Sequence, residues 1–166
     1  MEVIQPGSRK EFDLLLRSRY RNDSVTYFRL SDHPHDIDLP VEFGKGVIVK
    51  DEGSSTTVMT AGPLLGNVLE AVRDLKVNLV YFHTIKPIDS EVIRKFKDTE
   101  IIIVHDAFGL HEAISETPNL RTTYHGLGDS FCCCYGTLHD IRKKMGLDPA
   151  SIREFVRERI GRAGGN

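Results

Sequence analysis

Short segments with the pattern of strands alternate with stretches of helical spacing from about residue 56 onward. The predicted strands lie at residues 56–61, 77–83, 100–105 and 120–125, which read TTVMTA, VNLVYFH, EIIIVH and LRTTYH. Continuous apolar runs, such as Ile101 to Val104, are typical of strands that are buried on both faces of a parallel sheet. Between them apolar residues recur three and four positions apart, which predicts helices, as at Leu65, Val68, Leu69 and Val72.

The order of these elements predicts the fold class. We expect an α/β protein with three layers, α/β/α, on a five-stranded mixed sheet. Four strands should be parallel, and a strand near residues 46–51 should fold back antiparallel at one edge. Two helices should close the chain, one over about residues 137–145 that ends at Gly146 and one that begins at Asp148-Pro149.

The first 30 residues form a separate pattern. Met1–Ile4 and residues 25–30 are predicted strands, and residues 8–20 have the spacing of an amphipathic helix. This piece is too small to hold a core alone, so it resembles the end of another domain. Residues 31–42 have a linker composition, residues 43–160 form the main domain, and residues 161–166 are expected to be a flexible tail.

Charge and composition exclude some classes of protein. The 166 residues contain 22 Lys and Arg against 24 Asp and Glu, for a net charge of -2, and no basic face is apparent. Nucleic acid is therefore not an expected partner. The chain shows neither a signal peptide nor an apolar run of about 18 residues, so no membrane association and a cytoplasmic location are expected.

The segment YFHTIKPID, residues 81–89, raises a local question, because a buried strand ends in a histidine before a fixed proline. We expect the strand to end near His83 and residues 84–86 to form a turn. Pro87 and Asp89 then suit the start of a helix. The carboxyl ends of parallel strands often bind ligands, so His83 is either a ligand or interface residue or a structural hydrogen-bond donor.

Three further groups of residues are candidates for metal or nucleotide binding. The cysteines stand together at Cys132-Cys133-Cys134, which does not fit the usual ligand spacing of zinc sites and favours small reduced thiols. The segment around His33 and His35 could hold a metal ion, but a solvated linker is favoured. A nucleotide-binding module would use residues 62–66, GPLLG, which lack the standard phosphate-binding motifs.

Four segments in order carry a family resemblance: TTVMTAGPLLGNVLEAVRDL, TIKPID, HDAFGLHEAISE and GLGDSFCCCYGTLHDIRKKMGLDPASI. Together they resemble the C-terminal domain of the transketolase superfamily over residues 43–160. The last segment is most similar to deoxyxylulose phosphate synthases, and TIKPID is similar also to pyruvate dehydrogenase β subunits. Residues 1–30 resemble the last strand-helix-strand of the preceding pyrimidine-binding domain.

The resemblance implies the C-terminal part or subunit of a thiamine-diphosphate-dependent transferase, which serves structure, subunit association and the rim of the active site. The missing N-terminal domains or subunit would bind thiamine diphosphate and Mg²⁺. No catalytic, cofactor-binding or metal-binding residue is then expected in this chain, which alone should be inactive. A homo-oligomer is also implied. The alternatives are a non-catalytic interaction or dimerisation module and a nucleotide-binding module.

The sequence departs from the family pattern at several positions. Asp32 stands where many transketolases have an arginine that binds a sugar phosphate, and a carboxylate there would repel phosphate. Asp32 and His33 are therefore candidates for the substrate rim, with an unusual donor substrate. His105 replaces a common glutamate, and His83 replaces an arginine found in several relatives.

A protein interface is expected at the end of the strand that contains residues 77–83. The resembling domains use this edge in subunit association, and the candidate interface residues are His83, Thr84 and Lys86. Their polar groups would lose free energy if they were buried without partners, and a partner surface could supply those partners.

Overall fold

A computed structural model describes residues 1–128 and 135–163. Its strands are β1 (Glu2–Ile4), β2 (Thr26–Phe28), β3 (Val47–Lys50), β4 (Thr56–Ala61), β5 (Asn78–Phe82), β6 (Thr84–Lys86), β7 (Glu100–His105) and β8 (Arg121–Gly126). Its α-helices are α1 (Arg9–Arg19), α2 (Leu65–Val72), α3 (Ser90–Lys95), α4 (Leu110–Ser115), α5 (Leu138–Lys144) and α6 (Pro149–Ala163). The order of strands and helices therefore agrees with the α/β pattern of the sequence.

The main sheet contains five strands in the order β3-β5-β4-β7-β8. Strand β3 pairs antiparallel with β5, while β4 pairs parallel with both β5 and β7, and β7 pairs parallel with β8. The expected mixed sheet, with four parallel strands and one antiparallel edge strand, is confirmed. Strand β5 lies inside the sheet, as its continuous apolar sequence predicts.

Helices cover both faces of this sheet and complete three layers. On one face, α2 and α6 pack on Val58, Leu79 and Ile102. On the opposite face, α3 and α4 pack on Met59, Val80 and Ile103. Neighbouring residues of one strand thus enter different cores, because side chains alternate across a sheet.

Local sequence signals set several helix ends as expected. The Asp89 carboxylate accepts hydrogen bonds from the N–H groups of Glu91 and Val92 at the start of α3. Asp148 accepts from the N–H groups of Ala150 and Ser151 at the start of α6. Gly146 follows α5 with a φ of 70°, a backbone conformation that glycine adopts without the cost imposed by a side chain.

The N-terminal residues form a second, smaller sheet. Strand β1, helix α1 and strand β2 follow one another as predicted. In the structure β1 pairs parallel with β2 and antiparallel with β6. The expectation of a turn at residues 84–86 is therefore wrong. Tertiary pairing with β1 extends this segment into a strand, and no local sequence signal reports such a partner.

Two other boundaries differ from the expectation, and one expectation concerns residues that the structure does not describe. A 3₁₀ turn at Gly62–Leu64 precedes α2, so the helix begins later than its apolar pattern suggests. Helix α6 continues to Ala163, beyond the predicted start of the tail. The Cys132-Cys133-Cys134 run lies outside the described residues.

Candidate functional site

The parallel strands create a crevice between the carboxyl ends of β4 and β7. These strands are neighbours, but the helix after β4 packs on one face of the sheet and the helix after β7 packs on the other. Open α/β sheets bind ligands at the point where the strand order reverses. A crevice forms there because the helices that follow two neighbouring strands lie on opposite faces of the sheet. The crevice is bordered by Gly62, directly after β4, and by His105, the last residue of β7.

The chain itself fills this crevice with the side chain of Gln5. Gln5 is only 3% exposed, and its Oε1 lies 2.9 Å from Nε2 of His105. Arg29 donates a longer hydrogen bond to the same oxygen, at 3.4 Å. A Cβ added to Gly62 would stand 2.7 Å from the Gln5 side chain, so the glutamine occupies the space beside the glycine.

A second polar cluster joins the N-terminal helix to the main sheet on the other face. Tyr81, in β5, donates a 2.6 Å hydrogen bond to Oε2 of Glu11, and the N–H of Gly7 donates to the same oxygen at 2.7 Å. His35 lies edge-on to the Tyr81 ring, with its Nε2 3.5 Å from the other Glu11 oxygen. Burial raises the pKa of Glu11 and lowers the pKa of His35.

His35 also fixes the segment that the sequence predicts to be a solvated linker. Its side chain is buried, and its Nδ1 accepts a hydrogen bond from the N–H of Ile37. Ile37 and Leu39 pack against the core of the main domain. Residues 31–42 contain no helix or strand, but the expectation of a fully solvated segment is wrong at His35.

Two histidines at strand ends are buried under the N-terminal segment. His83 and His105 are fully buried, and burial lowers the pKa of each to about 4. His83 Nδ1 lies 3.2 Å from the Thr84 hydroxyl. The backbone carbonyl of His83 accepts a hydrogen bond from the N–H of Gln5. Both imidazoles are therefore neutral at pH 7.

One face of the smaller sheet is only partly covered. Helix α1 covers the other face, where Phe12 contacts Phe28 edge to face. Val3 is in register with Tyr27 on one side and with Lys86 on the other, so these three side chains share this partly covered face. Val3 packs there against the core of the main domain, whereas Tyr27 and Lys86 are exposed. Val25 precedes Tyr27 by two residues and lies on the same face. We call Val3, Val25, Tyr27 and Lys86 the open face.

A cavity of about 720 Å³ adjoins the open face. Val3 and Lys86 line it from the small sheet, and Phe108 and Glu112 line it from the segment after β7. Arg29 lies between the two, where it donates a 2.7 Å hydrogen bond to the carbonyl of Phe108. The cavity thus combines apolar walls with charged groups of both signs.

The structure separates the predicted interface residues. His83 and Thr84 are buried, and the N-terminal segment of the same chain covers them, whereas Lys86 is exposed. Of the three, Lys86 alone offers a surface to another protein without rearrangement. Asp32 and His33 lie on an exposed loop after β2, with the Asp32 carboxylate 3.6 Å from His33 Nε2. Their assignment to a substrate rim stays a prediction.

The alternative sites find little support in the described residues. Among residues 1–128 and 135–163, no three side chains of His, Cys, Asp or Glu converge as a metal site. The glycine that would begin a phosphate-binding turn is Gly62, and Gln5 occupies the space beside it. Within the same ranges no helix combines the length and the apolar character needed to cross a membrane.

Sequence analysis did not identify Gln5, Glu11 or Tyr81 as functional. Glu11 lies among the polar positions of an amphipathic helix, and Tyr81 belongs to an apolar run. The one available signal was the glutamine-proline-glycine sequence at residues 5–7, which interrupts the pattern between a strand and a helix. That signal predicts a change of direction but does not indicate what the segment contacts.

Comparison with known proteins places this fold. A split-gene transketolase described as an inactive β4 tetramer superposes with a TM-score of 0.82 and 21% identity, over 97% of this chain and 58% of that one. The transketolase of Campylobacter jejuni superposes with a TM-score of 0.74 and 17% identity, over 95% of this chain and 26% of that one. These likenesses establish the fold.

Sequence comparison finds relatives in the same group of proteins. A putative transketolase C-terminal section of Methanocaldococcus jannaschii is 32% identical over 96% of this chain and 56% of its own length. The 1-deoxy-D-xylulose-5-phosphate synthase of Vibrio campbellii is 25% identical over 98% of this chain and 28% of its own length. No family profile matches the chain.

In fold and in sequence the chain is therefore similar to the C-terminal section of transketolases. The resemblance noted in the sequence is thereby confirmed, and it includes the N-terminal strand-helix-strand, because the alignments extend over nearly the whole chain. The chain spans between about a quarter and a little over half of the length of these relatives.

Proposed function

We propose that this chain is the C-terminal part or subunit of a thiamine-diphosphate-dependent transketolase-like enzyme and serves structure, subunit association and the rim of the active site. Other domains of that enzyme would bind thiamine diphosphate and Mg²⁺ and supply the chemistry. This chain would dock on them and form an oligomer. An association module without any connection to catalysis is the alternative.

The distribution of exposed apolar residues carries the proposal. Eight large apolar side chains are exposed among the described residues, and six of them belong to the first 30: Met1, Leu14, Tyr20, Val25, Tyr27 and Leu30. Strand β2 lies at the edge of the small sheet, so its outer backbone groups are available for pairing within the described structure. Of these six residues, Val25 and Tyr27 lie directly before and in this edge strand. Exposed apolar side chains on an unpaired edge fit a protein partner.

The lengths of the relatives support the choice of partner. The archaeal C-terminal section extends well beyond the region that matches this chain, which covers 56% of it. We propose that the partner is a polypeptide with the transketolase regions that those relatives carry in addition. It would cover the open face, including the exposed interface candidate Lys86.

The test is association and activity with a candidate partner. The chain is mixed with a protein that carries the pyrophosphate-binding and pyrimidine-binding regions, and sedimentation velocity and transfer of a two-carbon unit are measured. We expect a complex that is active only when both proteins are present. Tyr27→Lys should weaken the complex at least tenfold, because it places a charge in an apolar contact. Lys97→Glu, at an exposed position of the main domain, serves as the control.

Two results would contradict the proposal. One is activity of the partner protein alone at the level of the mixture. The other is full association of the Tyr27→Lys variant, which would remove the open face from the interface. An intact complex without any transfer activity would favour the association module.

The substrate rim is a finer part of the same proposal. Asp32 and His33 are exposed on the loop after β2. The family resemblance implies that Asp32 stands at the position of a phosphate-binding arginine. With a carboxylate there, we expect the assembled enzyme to prefer an unphosphorylated donor. Asp32→Arg should shift kcat/KM toward phosphorylated donors. An unchanged ratio between the two donor classes would place Asp32 away from the substrate.

A further inference from the structure

The main domain binds part of its own chain at the position where open α/β sheets take a ligand. The segment Gln5-Pro6-Gly7, here called the plug, crosses the carboxyl ends of β4, β5 and β7. All three of its residues are buried. We propose that the plug fixes the orientation of residues 1–30 relative to the main sheet, with Gln5 as a positioning residue for the partner-binding surface.

The contacts of Gln5 are specific to its side-chain amide. Two donors, His105 Nε2 and the Arg29 guanidinium, approach the same Oε1 atom, at 2.9 and 3.4 Å. Since an oxygen can only accept, these donors fix the orientation of the amide and place a proton on Nε2 of His105. Arg29 also holds the carbonyl of Phe108, so the glutamine is tied to both the small sheet and the segment after β7.

The backbone of the plug is anchored on each side of Gln5. The Gln5 N–H donates to the carbonyl of His83 at 2.9 Å, after β5. A Cβ on Gly7 would stand 2.5 Å from the Tyr81 hydroxyl and 2.7 Å from the carbonyl of Gly62. The carbonyl of Gly7 accepts a 2.9 Å hydrogen bond from the N–H of His35. Only glycine allows this close approach of the chain to the strand ends.

The plug connects to the open face through adjacent residues. Gln5 follows β1, and the N–H of Arg29, one residue after β2, donates to the carbonyl of Ile4. Loosening Gln5 should therefore release β1 and β2 together, along with the apolar residues that they expose. The importance of this orientation for a partner rests on the proposed function. The contacts of the plug that fix the orientation, here called the lock, are present in the isolated chain.

Hydrogen exchange on the isolated chain tests the lock. Gln5→Leu keeps the volume of the side chain but removes the acceptor. We expect the amides of Arg29 and His35 to exchange at least about tenfold faster, because both are bonded to residues of or next to the plug. The amides of Ile102 and Val104, in the centre of the main sheet, should keep their rates. His139→Leu, at an exposed histidine, is the control and should change neither set.

Two further variants separate a lock from general stabilisation. Gln5→Glu keeps an acceptor for His105 and Arg29, so it should restore exchange at Arg29 and His35 to within about threefold of the wild type. The double variant Gln5→Leu with His105→Leu should exchange no faster than Gln5→Leu alone, because the pair is removed as a unit.

Three outcomes would overturn the proposal: unchanged exchange in Gln5→Leu, equal acceleration at the main-sheet amides, or additive effects in the double variant. Exchange on the isolated chain reports the lock whether or not any partner binds. A failure of the lock is thus distinguishable from a failure of the proposed function.

Discussion

At the scale of single residues, the polar groups buried beneath the N-terminal segment are the most informative. Glu11, Tyr81, His83 and His105 lie in the contact between this segment and the main sheet, and a chain without that contact would expose all four. Buried polar groups stabilise a fold only while their partners stay in place. These residues therefore favour a fixed arrangement of residues 1–42 on the main domain.

Tyr81 provides a direct test of this contact. Tyr81→Phe removes the hydroxyl that donates to Glu11 at 2.6 Å and leaves a buried carboxylate with one donor fewer. We expect the free energy of unfolding to fall by about 1–3 kcal/mol, measured by urea denaturation. Tyr27→Phe, at an exposed ring, is the matched control and should change it by less than about 0.5 kcal/mol. Equal effects of the two variants would show that the Glu11 contact contributes little.

The buried histidines predict how stability depends on pH. In the folded chain the pKa of His83 and of His105 is lowered to about 4 by burial, against 6.5 for an ordinary histidine. Below pH 6.5 the unfolded chain therefore binds protons that the folded chain does not, and stability falls down to about pH 4. Each histidine contributes roughly 1.4 kcal/mol per pH unit to this loss. Glu11 acts in the opposite direction, because its pKa is raised.

Urea unfolding between pH 7 and pH 4.5 measures this slope. His105→Gln keeps a donor near Gln5 but cannot titrate, so its stability should fall less steeply by roughly 1.4 kcal/mol per pH unit. The exposed control His139→Gln should follow the wild type. An identical slope in His105→Gln and the wild type would mean that His105 is accessible to protons in the folded chain.

At the scale of elements, the segment YFHTIKPID joins two sheets. Its first two residues complete β5 of the main sheet, and residues 84–86 in its middle form β6, which pairs with β1. Asp89 then ends the segment by capping α3 and accepting a 3.0 Å hydrogen bond from the N–H of Gly46. His83 thus lies between a strand of the main sheet and a strand of the small sheet, and Pro87 follows the second of these strands.

Asp89 should accordingly matter more than a surface carboxylate. Asp89→Ala removes the helix cap and the bond to Gly46, and we expect a loss of about 1–2 kcal/mol in the free energy of unfolding. Asp23→Ala, at an exposed residue before β2, is the control and should be close to neutral. Asp89→Ser should recover part of the loss, since serine is also a good cap. If serine and alanine were equivalent here, capping would not be the cause.

At the scale of the whole molecule, the two sheets differ in how completely their faces are covered. The main domain has helices on both faces, but the small sheet has α1 on one face and the open face on the other. Exposed apolar residues concentrate on the first 30 residues, and the cavity of about 720 Å³ lies beside them. Most of the exposed large apolar side chains of the described residues therefore belong to the N-terminal piece, which is the surface that the proposed partner would cover.

Isothermal titration calorimetry tests the expected division of labour. We expect no specific heat from thiamine diphosphate with Mg²⁺ added to this chain alone, because the proposed assembly binds the cofactor in its other domains. The mixture with the candidate partner should bind with saturable heat. Specific binding of the cofactor to this chain alone would contradict the proposal that the cofactor site lies elsewhere.

The sequence by itself determined the main sheet. Apolar segments marked β4, β5 and β7 as buried strands, the segment LRTTYH marked the edge strand β8, and helical spacing marked the helices between them. The three-layer architecture then followed from local periodicity and connection rules. The sequence also predicted the helix ends at Asp89, Gly146 and Asp148, because capping residues act on backbone groups within a few positions. The family resemblance drew on the same segments.

Only the tertiary structure decided what covers the strand ends. The pairing of β6 with β1, the contact of His35 with Tyr81 and the contact of Gln5 with His105 each join residues that are far apart in the chain, up to 100 positions in the last case. Such contacts depend on how two compact pieces meet, and neither apolar periodicity nor turn chemistry reports that geometry. The sequence therefore determined the elements, whereas packing between them decided which polar groups became buried partners and which face stayed open.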